Sequence, residues 1–491
     1  MDAKEDVACH HYQHHSTNEI FVCIHFNQFQ SFHKNVTSVE LFTILTTYTP
    51  TDQVNSTLHL QKMFIMDEVT LNYIVFCAAM VPIILYGIVG TFFCVSLFYA
   101  KFYLHRKGDP SLLLTELPGV SIIKPLMGVD PLLEENLESH FLINYPKYEL
   151  LLCVQDEQDP VLELIQKLKA RYPKVDTTLF IAGEVYTWSG ESFQIVGEGQ
   201  VTQRGEDGII NPMVHNMAPG YNHASYDLIW ISTSRIKAST EILLDMVGKI
   251  QPAKVAMVHQ MPFTTDQKGI AATVEKIYFG CNIARNYLAL NVFNVPCVTG
   301  MSYLVKKAAL DEINGLSYYG KYLAEDFFIA KFLHEKGYIL RVAAVPAQQN
   351  VASCTVVGYK DRMVRWLRLR LNMMWFVSGV LEPMSEALIL GTYGAWAIHH
   401  FFGYNPYIVF LIHTSVWIIL DYINLRMIEN GPLPFNKLQF ALGWFIRETL
   451  VIFVFFEALT NPWRIKWGKR TYRVSCGGHT EILNDKAILP I

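Results

Sequence analysis

Charge is what this 491-residue chain has least of. Asp, Glu, Lys and Arg make up 17% of it, where a soluble domain carries about a quarter. That shortage excludes an ordinary cytosolic enzyme and points to a surface partly in lipid. A basic excess is also lacking: 40 Lys+Arg stand against 44 Asp+Glu, for a net charge of −4. A general nucleic-acid binder is excluded on that count. The nine cysteines include no C-x-x-C pair, which argues against a disulfide scaffold and a structural zinc site. Internal repeats and low-complexity linkers are absent too. What is abundant is apolar: 51% hydrophobic and 13% aromatic residues rule out a disordered chain. The length suits two or three units at about 150 residues per domain.

The apolar residues fall in blocks. Val69–Ala100 holds 32 residues without a charge, more than the roughly 20 needed to cross a bilayer. Asp67 and Glu68 precede it, and Lys101, Arg106 and Lys107 follow. The positive-inside rule then puts the N-terminus outside the cytosol and the rest within it. The run is too long and too deep in the chain for a cleavable signal. A second block, 387–420, is broken near its middle by His399, His400, Gly403, Asn405 and Pro406. That pattern predicts a hairpin of two membrane arms. A third, 438–460, contains Arg447 and Glu448, so it is expected to lie at the interface or to be re-entrant. The basic tail, 461–491, is expected in the cytosol.

Residues 101–358 have the pattern of a water-soluble α/β domain. Short apolar runs at Val120–Pro125, Tyr148–Gln155, Thr178–Ala182, Leu228–Ser232 and Lys254–His259 alternate with helical stretches such as Val161–Arg171 and Ser239–Ile250. The spacing predicts a mostly parallel sheet with helices on both faces. Ligands of such sheets bind beyond the carboxyl ends of strands. Residues 1–66 carry His10, His11, His14 and His15 and two glycosylation triplets, at Asn35 and Asn55. They read as a lumenal extension or as a stretch foreign to the native protein, since Met66 stands just before the first span.

Three clusters can carry chemistry. Asp156 ends an apolar strand, where a carboxylate can hold a nucleotide or cap the following helix. Glu325 and Asp326 adjoin Phe327 and Phe328, and apolar neighbours can raise a carboxyl pKa as a general base requires. Arg362 and Arg365 share one helical face and can chelate a diphosphate. The stretch around them, 359–380, is basic and aromatic with Trp366, as in a helix lying on a membrane.

The ordered set LPGVSIIKPLMGVDP, YPKYELLLCVQDEQDP, YDLIWI, CVTGMSYLVKK, KYLAEDFFIAK, RMVRW and WFIRE resembles the ceramide glucosyltransferase family of inverting GT-A glycosyltransferases. The likeness runs from about Leu117 to Gly478. It implies a GT-A (nucleotide-diphospho-sugar transferase) domain between an N-terminal transmembrane helix and C-terminal membrane helices. It also implies a Golgi or early-secretory enzyme that moves glucose from UDP-glucose to ceramide on the cytosolic face. By position, the resemblance gives Asp156 the uridine part of the donor and Asp326 the proton of the acceptor hydroxyl. Arg362, Arg365 and Trp366 match its (Q/R)xxRW motif at the leaving diphosphate and acceptor, with Glu325 beside them. His259 matches a family histidine near the substrates; a buried core histidine is the competing reading.

Two departures stand out. The family has D-S-G after the LIWI strand, whose aspartate binds Mn²⁺ or Mg²⁺. Here Thr233-Ser234-Arg235 stands there, and Thr is a poor ligand for a hard cation. No metal ligand is therefore assigned, and Arg235 is expected to supply charge to the diphosphate instead. Met213 replaces a family lysine, and residues about 184–210 form an insert. The competing functions are an impaired paralogue that binds UDP-sugar or ceramide, favoured by Thr233, and a processive polysaccharide synthase, for which the spans are too few.

Overall fold

The computed structural model describes residues 68–106, 117–197, 209–351, 355–468 and 470–483. The histidine cluster, both glycosylation triplets and most of 198–210 lie outside that range. Residues through Phe76 group as one unit, and Cys77 onward group as another that contains the sheet.

The long apolar run forms a single helix, α1 (Glu68–Phe102). Beyond it the alternation expected from the sequence is present: β1 (Val120–Leu126), α2 (Leu133–Phe141), β2 (Tyr148–Val154), α3 (Val161–Arg171) and β3 (Thr177–Ile181). The stretch expected to be an insert begins as a hairpin, β4 (Glu184–Trp188) and β5 (Phe193–Gly197), added to the edge of the sheet. Then come α4 (Pro212–His223), β6 (Leu228–Ser232), α5 (Thr240–Ile250), β7 (Val255–His259), β8 (Pro262–Thr264), α6 (Ile270–Tyr278), α7 (Ala284–Val292), β9 (Ser302–Lys306), α8 (Lys307–Glu312), α9 (Glu325–Glu335), β10 (Ile339–Val342) and β11 (Ala347–Gln349).

The main sheet runs β10-β7-β9-β6-β1-β2-β3-β4-β5. Its centre, β6-β1-β2-β3, is parallel, and β9 lies antiparallel between β6 and β7. The central strands are buried on both faces, which is why they read as unbroken apolar runs. In β1 and β2, Ile122, Leu126, Leu150 and Leu152 pack on one side, while Ile123, Leu151 and Cys153 pack on the other. Register positions the site. Leu126 pairs with Val154, Ser232 with Ser302 and His259 with Tyr303. The carboxyl ends of β1, β2, β6 and β7 therefore meet the amino end of β9 along one edge.

The remaining helices form an apolar block: α10 (Val356–Met373), α11 (Ala387–Phe402), α12 (Pro406–Glu429) and α13 (Lys437–Thr460). The hairpin turns at Gly403, whose φ of 70° lies in the left-handed region that glycine adopts without strain. Three helices, α1, α12 and α13, are long and apolar enough to cross a membrane. The charges expected to keep the third stretch at the surface are turned inward. Arg447 is 2% exposed and pairs with Glu386 at 2.8 Å and with Glu448. Nearby, Trp444 donates to Asp421 at 2.8 Å. Polar groups paired inside a bundle meet no lipid, so α13 can be charged and apolar at once.

The tail is also ordered differently from a simple basic extension. Strands β12 (Arg464–Trp467), β13 (Arg470–Val474) and β14 (Thr480–Leu483) form an antiparallel sheet. Ile465, Tyr472 and Val474 bury against Leu323, and His479 bridges to Tyr322. Arg447→Met should destabilise the purified protein by about 3–5 kcal/mol by stranding two buried acids, read as a fall in the unfolding midpoint in detergent.

Candidate active site

Asp326 sits in the first turn of α9 and is half-buried. One carboxylate oxygen accepts from the Gly300 amide, and the other accepts from the Phe327 amide at 2.9 Å. Gly300 precedes β9, and a Cβ built on it would lie 3.2 Å from the Asp326 side chain. Glycine is thus what lets main chain meet carboxylate here. Burial raises the Asp326 pKa above the usual carboxylate range, while the two amides oppose the rise. Glu325 points elsewhere, accepting from Asn211 Nδ2 at 2.6 Å. Burial, then the adjacent Asp326 charge, push it up to about 8.

Asp156 is exposed just past the carboxyl end of β2. The helix-capping alternative goes to a different acid. Asp159 accepts from the Val161 amide at 2.9 Å and from Gly128 at 2.8 Å. Asp156 accepts only from the Gln158 amide, at 3.0 Å, among the described hydrogen bonds.

Thr233 follows β6 in a loop held by main-chain contacts. Its amide donates to Met301 at 3.0 Å, and its carbonyl accepts from Lys124 Nζ at 3.0 Å. Lys124 is fully buried beneath this loop and also approaches His140 Nε2 at 3.3 Å. Burial pulls its pKa well below the ordinary lysine value.

On α10, Arg362 is ion-paired with Glu275 and lies 5.8 Å from the Trp366 ring. Trp366 packs edge-on against Phe279. Arg365 lies over Trp467 at 5.7 Å. Its pKa is lowered by burial first, then by the charges of Arg362 and Arg235, so the three guanidinium groups share one region. His259 is wholly buried at the end of β7, hydrogen-bonded through Nδ1 to the Tyr287 hydroxyl. Burial lowers its pKa to about 3; it is a neutral core histidine under β9 and presents no surface to an acceptor.

The donor set tests the divalent cation that the resemblance implies. Among the described residues no group of three or more His, Cys, Asp or Glu can hold a metal ion. The second-motif position itself carries Thr233, with Arg235 two residues on.

A sheet edge with an exposed acid after β2, an amide-held acid at a helix start and a cationic helix leading into long apolar helices is an arrangement suited to a glycosyltransferase working beside a membrane. Residues 87–188 and 197–480 match glycosyl transferase family 21, and the chain belongs to that family. It is 38% identical over 385 residues to ceramide glucosyltransferase 3 of Caenorhabditis elegans, covering 78% of each chain. To ceramide glucosyltransferase 1 of the same organism it is 35% identical over 397 residues, covering 81% of this chain and 79% of that one. The Candida albicans ceramide glucosyltransferase is 25% identical over 484 aligned residues, covering 72% of this chain and 86% of that one. Among solved structures, a mannosyltransferase from Pyrobaculum calidifontis in complex with GDP-Man and Mn²⁺ matches 79% of this chain and 99% of its own, at 15% identity and a TM-score of 0.43. The unmatched 189–196 falls in the β4–β5 hairpin.

Sequence reasoning missed Asn211, Gly300, Lys124 and Glu275. Asn211 caps α4 through the Met213 and Val214 amides while donating to Glu325. Only Asn-Pro at 211–212, a helix-start pair, hinted at it. Glu325 supplies a pH test. Its folded pKa, about 8, exceeds the ordinary glutamate value of 4.5. Its contribution to stability is therefore complete below the lower figure and lost as pH rises through the higher one. Glu325→Gln should unfold at a higher temperature than wild type above pH 8, with the gap closing on acidification, as followed by melting across pH.

Proposed function

We propose that the chain transfers glucose from UDP-glucose to the primary hydroxyl of ceramide, with inversion at the sugar. The observation that carries this is the place of Asp326, where the nucleotide edge of the sheet meets the apolar helices. Exposed Trp375, Phe376 and Val377 follow α10. Phe328, two residues beyond Asp326, and Met373 at the end of α10 both lie against Gly478, 2.7 and 3.3 Å from where a Cβ on it would stand. The acid and the end of α10 are therefore neighbours, and a lipid hydroxyl arriving along that apolar surface reaches a base. Relatives named ceramide glucosyltransferases support the same acceptor. Neither the impaired paralogue nor the polysaccharide synthase is favoured.

In this reading Asp156 holds the uridine side of the donor. The acceptor oxygen attacks C1 of glucose as its proton passes to Asp326. The C1–O bond to the diphosphate breaks, its electron pair stays on the phosphate oxygen, and UDP departs. Arg365 stabilises that charge directly. Arg362, tied to Glu275, holds the helix that carries Arg365, and Trp366 shapes the wall beside it. His259 and Glu325 serve as positioning groups, through Tyr287 and Asn211. The catalytic domain faces the cytosol of a Golgi or early-secretory membrane, and the contact of β12–β14 with Tyr322 supports a tail on that same side.

The test is the full-length protein in detergent with radiolabelled UDP-glucose and ceramide. Label should appear in a chloroform-soluble monoglucosyl lipid; label in polymer, or none in any product of well-folded protein, would overturn the assignment. Asp326→Asn should lower kcat by about 10²–10⁴-fold, the scale of general-base catalysis, with UDP affinity kept.

A further inference from the structure

We infer that this chain grips the donor diphosphate with Arg235 and Arg365 and does so without a divalent cation. The inference rests on the UDP-glucose assignment above and deepens it at the diphosphate. It starts from a paired exchange in one tripeptide. Where the resembling family has D-S-G, this chain has Thr233-Ser234-Arg235, so a carboxylate disappears and a guanidinium enters two residues later. One change removes the ligand a hard cation needs. The other adds a group able to meet phosphate oxygens bidentately.

The structure gives the second change a place to act. Arg235 lies just beyond the carboxyl end of β6, on the edge that also carries Asp156, and is exposed. Its backbone is fixed: the carbonyl accepts from the Asn350 amide at 2.8 Å, and Ile236 bridges to Gln349. Asn350 is held in turn by Glu135, at 3.0 Å from its side-chain amide, and its carbonyl accepts from Asn136 at 3.0 Å. The segment that leaves Asn350 leads to α10 and to Arg365. The loop that carries Arg235 meets Met301 through the Thr233 amide at 3.0 Å, and Met301 packs in the same apolar cluster as Trp366 and Leu367, the neighbours of Arg365 on α10. Among the described residues neither arginine has an acidic partner, whereas Arg362 is matched by Glu275. Two unmatched guanidinium groups in one region repel each other until an anion comes between them. A doubly charged diphosphate fits that need. A divalent cation would add to the repulsion.

Binding to the full-length protein in detergent, by calorimetry with UDP and with uridine, separates the possibilities. UDP affinity should stay within about twofold between excess EDTA and Mn²⁺, well inside the range a lost charge-assisted contact would exceed. Arg235→Ala should weaken UDP by about tenfold or more, the scale of one charged hydrogen bond, and leave uridine unchanged. Thr233→Asp/Arg235→Gly, which restores D-S-G, should make UDP binding depend on Mn²⁺. Wild-type UDP binding that collapses in EDTA would overturn the inference, as would UDP and uridine weakened alike by Arg235→Ala. UDP held by the double variant as tightly without metal would overturn it too. Wild-type protein that binds UDP under neither condition would overturn the donor assignment itself and this inference with it.

Discussion

The contact between Asp326 and the main chain of Gly300 is the constraint on which the rest of the structure depends. A carboxylate shielded from water keeps its charge only where donors replace the water it has lost. The amides of Gly300 and Phe327 do this, and both belong to segments that must arrive from different directions. Phe327 comes with the start of α9. Gly300 comes with the approach to β9, which reaches the edge only because β9 runs antiparallel between β6 and β7. A parallel β9 would deliver its carboxyl end there and leave Asp326 without its second amide. The reversal of one strand is thus what turns a nucleotide-binding edge into one that also holds a base.

The membrane side obeys a complementary rule. Its helices carry many polar residues for segments this apolar, and those residues turn toward protein. Ser96 donates to Asn424 at 3.0 Å, Asn424 donates to the Gly280 carbonyl at 3.1 Å, and Arg285 pairs with Asp421 at 3.3 Å. Each contact joins a membrane helix to α7, to the turn before it or to another membrane helix. The helices are thereby keyed to the catalytic domain by polar pairs, which fix register more sharply than apolar packing does. Through Glu275 and Lys360, which pairs with Glu457 at 2.7 Å, α10 is fastened to both parts. A rigid α10 keeps the exposed apolar surface after Met373 beside Asp326.

Much of this was legible in the residues. The central strands and α3 fall within a residue or two of their expected bounds, since buried parallel strands are unbroken apolar runs and α3 has a clear helical period. The break between α11 and α12 was visible because Gly403 and Pro406 are strong breakers, but of the two only α12 is long and apolar enough to cross a membrane. Asp156 and Asp326 were found by motif, and the structure brings both to the one edge. What could not be read depends on long-range pairing. Nothing local in Lys124 says that it lies under a loop more than a hundred residues away. Arg447 and Glu448 look costly in a membrane stretch until Glu386 is seen opposite. Arg362 looks free for phosphate until Glu275 is found against it. The tail reads as a basic extension because its strands bury only one thin face against Leu323.

The second-motif loop shows how such a site can change its chemistry and keep its shape. Five contacts set the path from Thr233 to Ile236. Thr233 donates its amide to Met301, and its carbonyl accepts from Lys124 and from the Ile236 amide. The Arg235 carbonyl accepts from the Asn350 amide, and the Ile236 carbonyl accepts from Lys124. All five use backbone atoms of the loop and none uses the side chain at 233 or 235. Neither side chain is therefore needed to hold the loop, and the Arg235 guanidinium stands on a backbone already fixed. Backbone-only anchoring leaves the chemistry offered at 233 and 235 separate from the path of the chain.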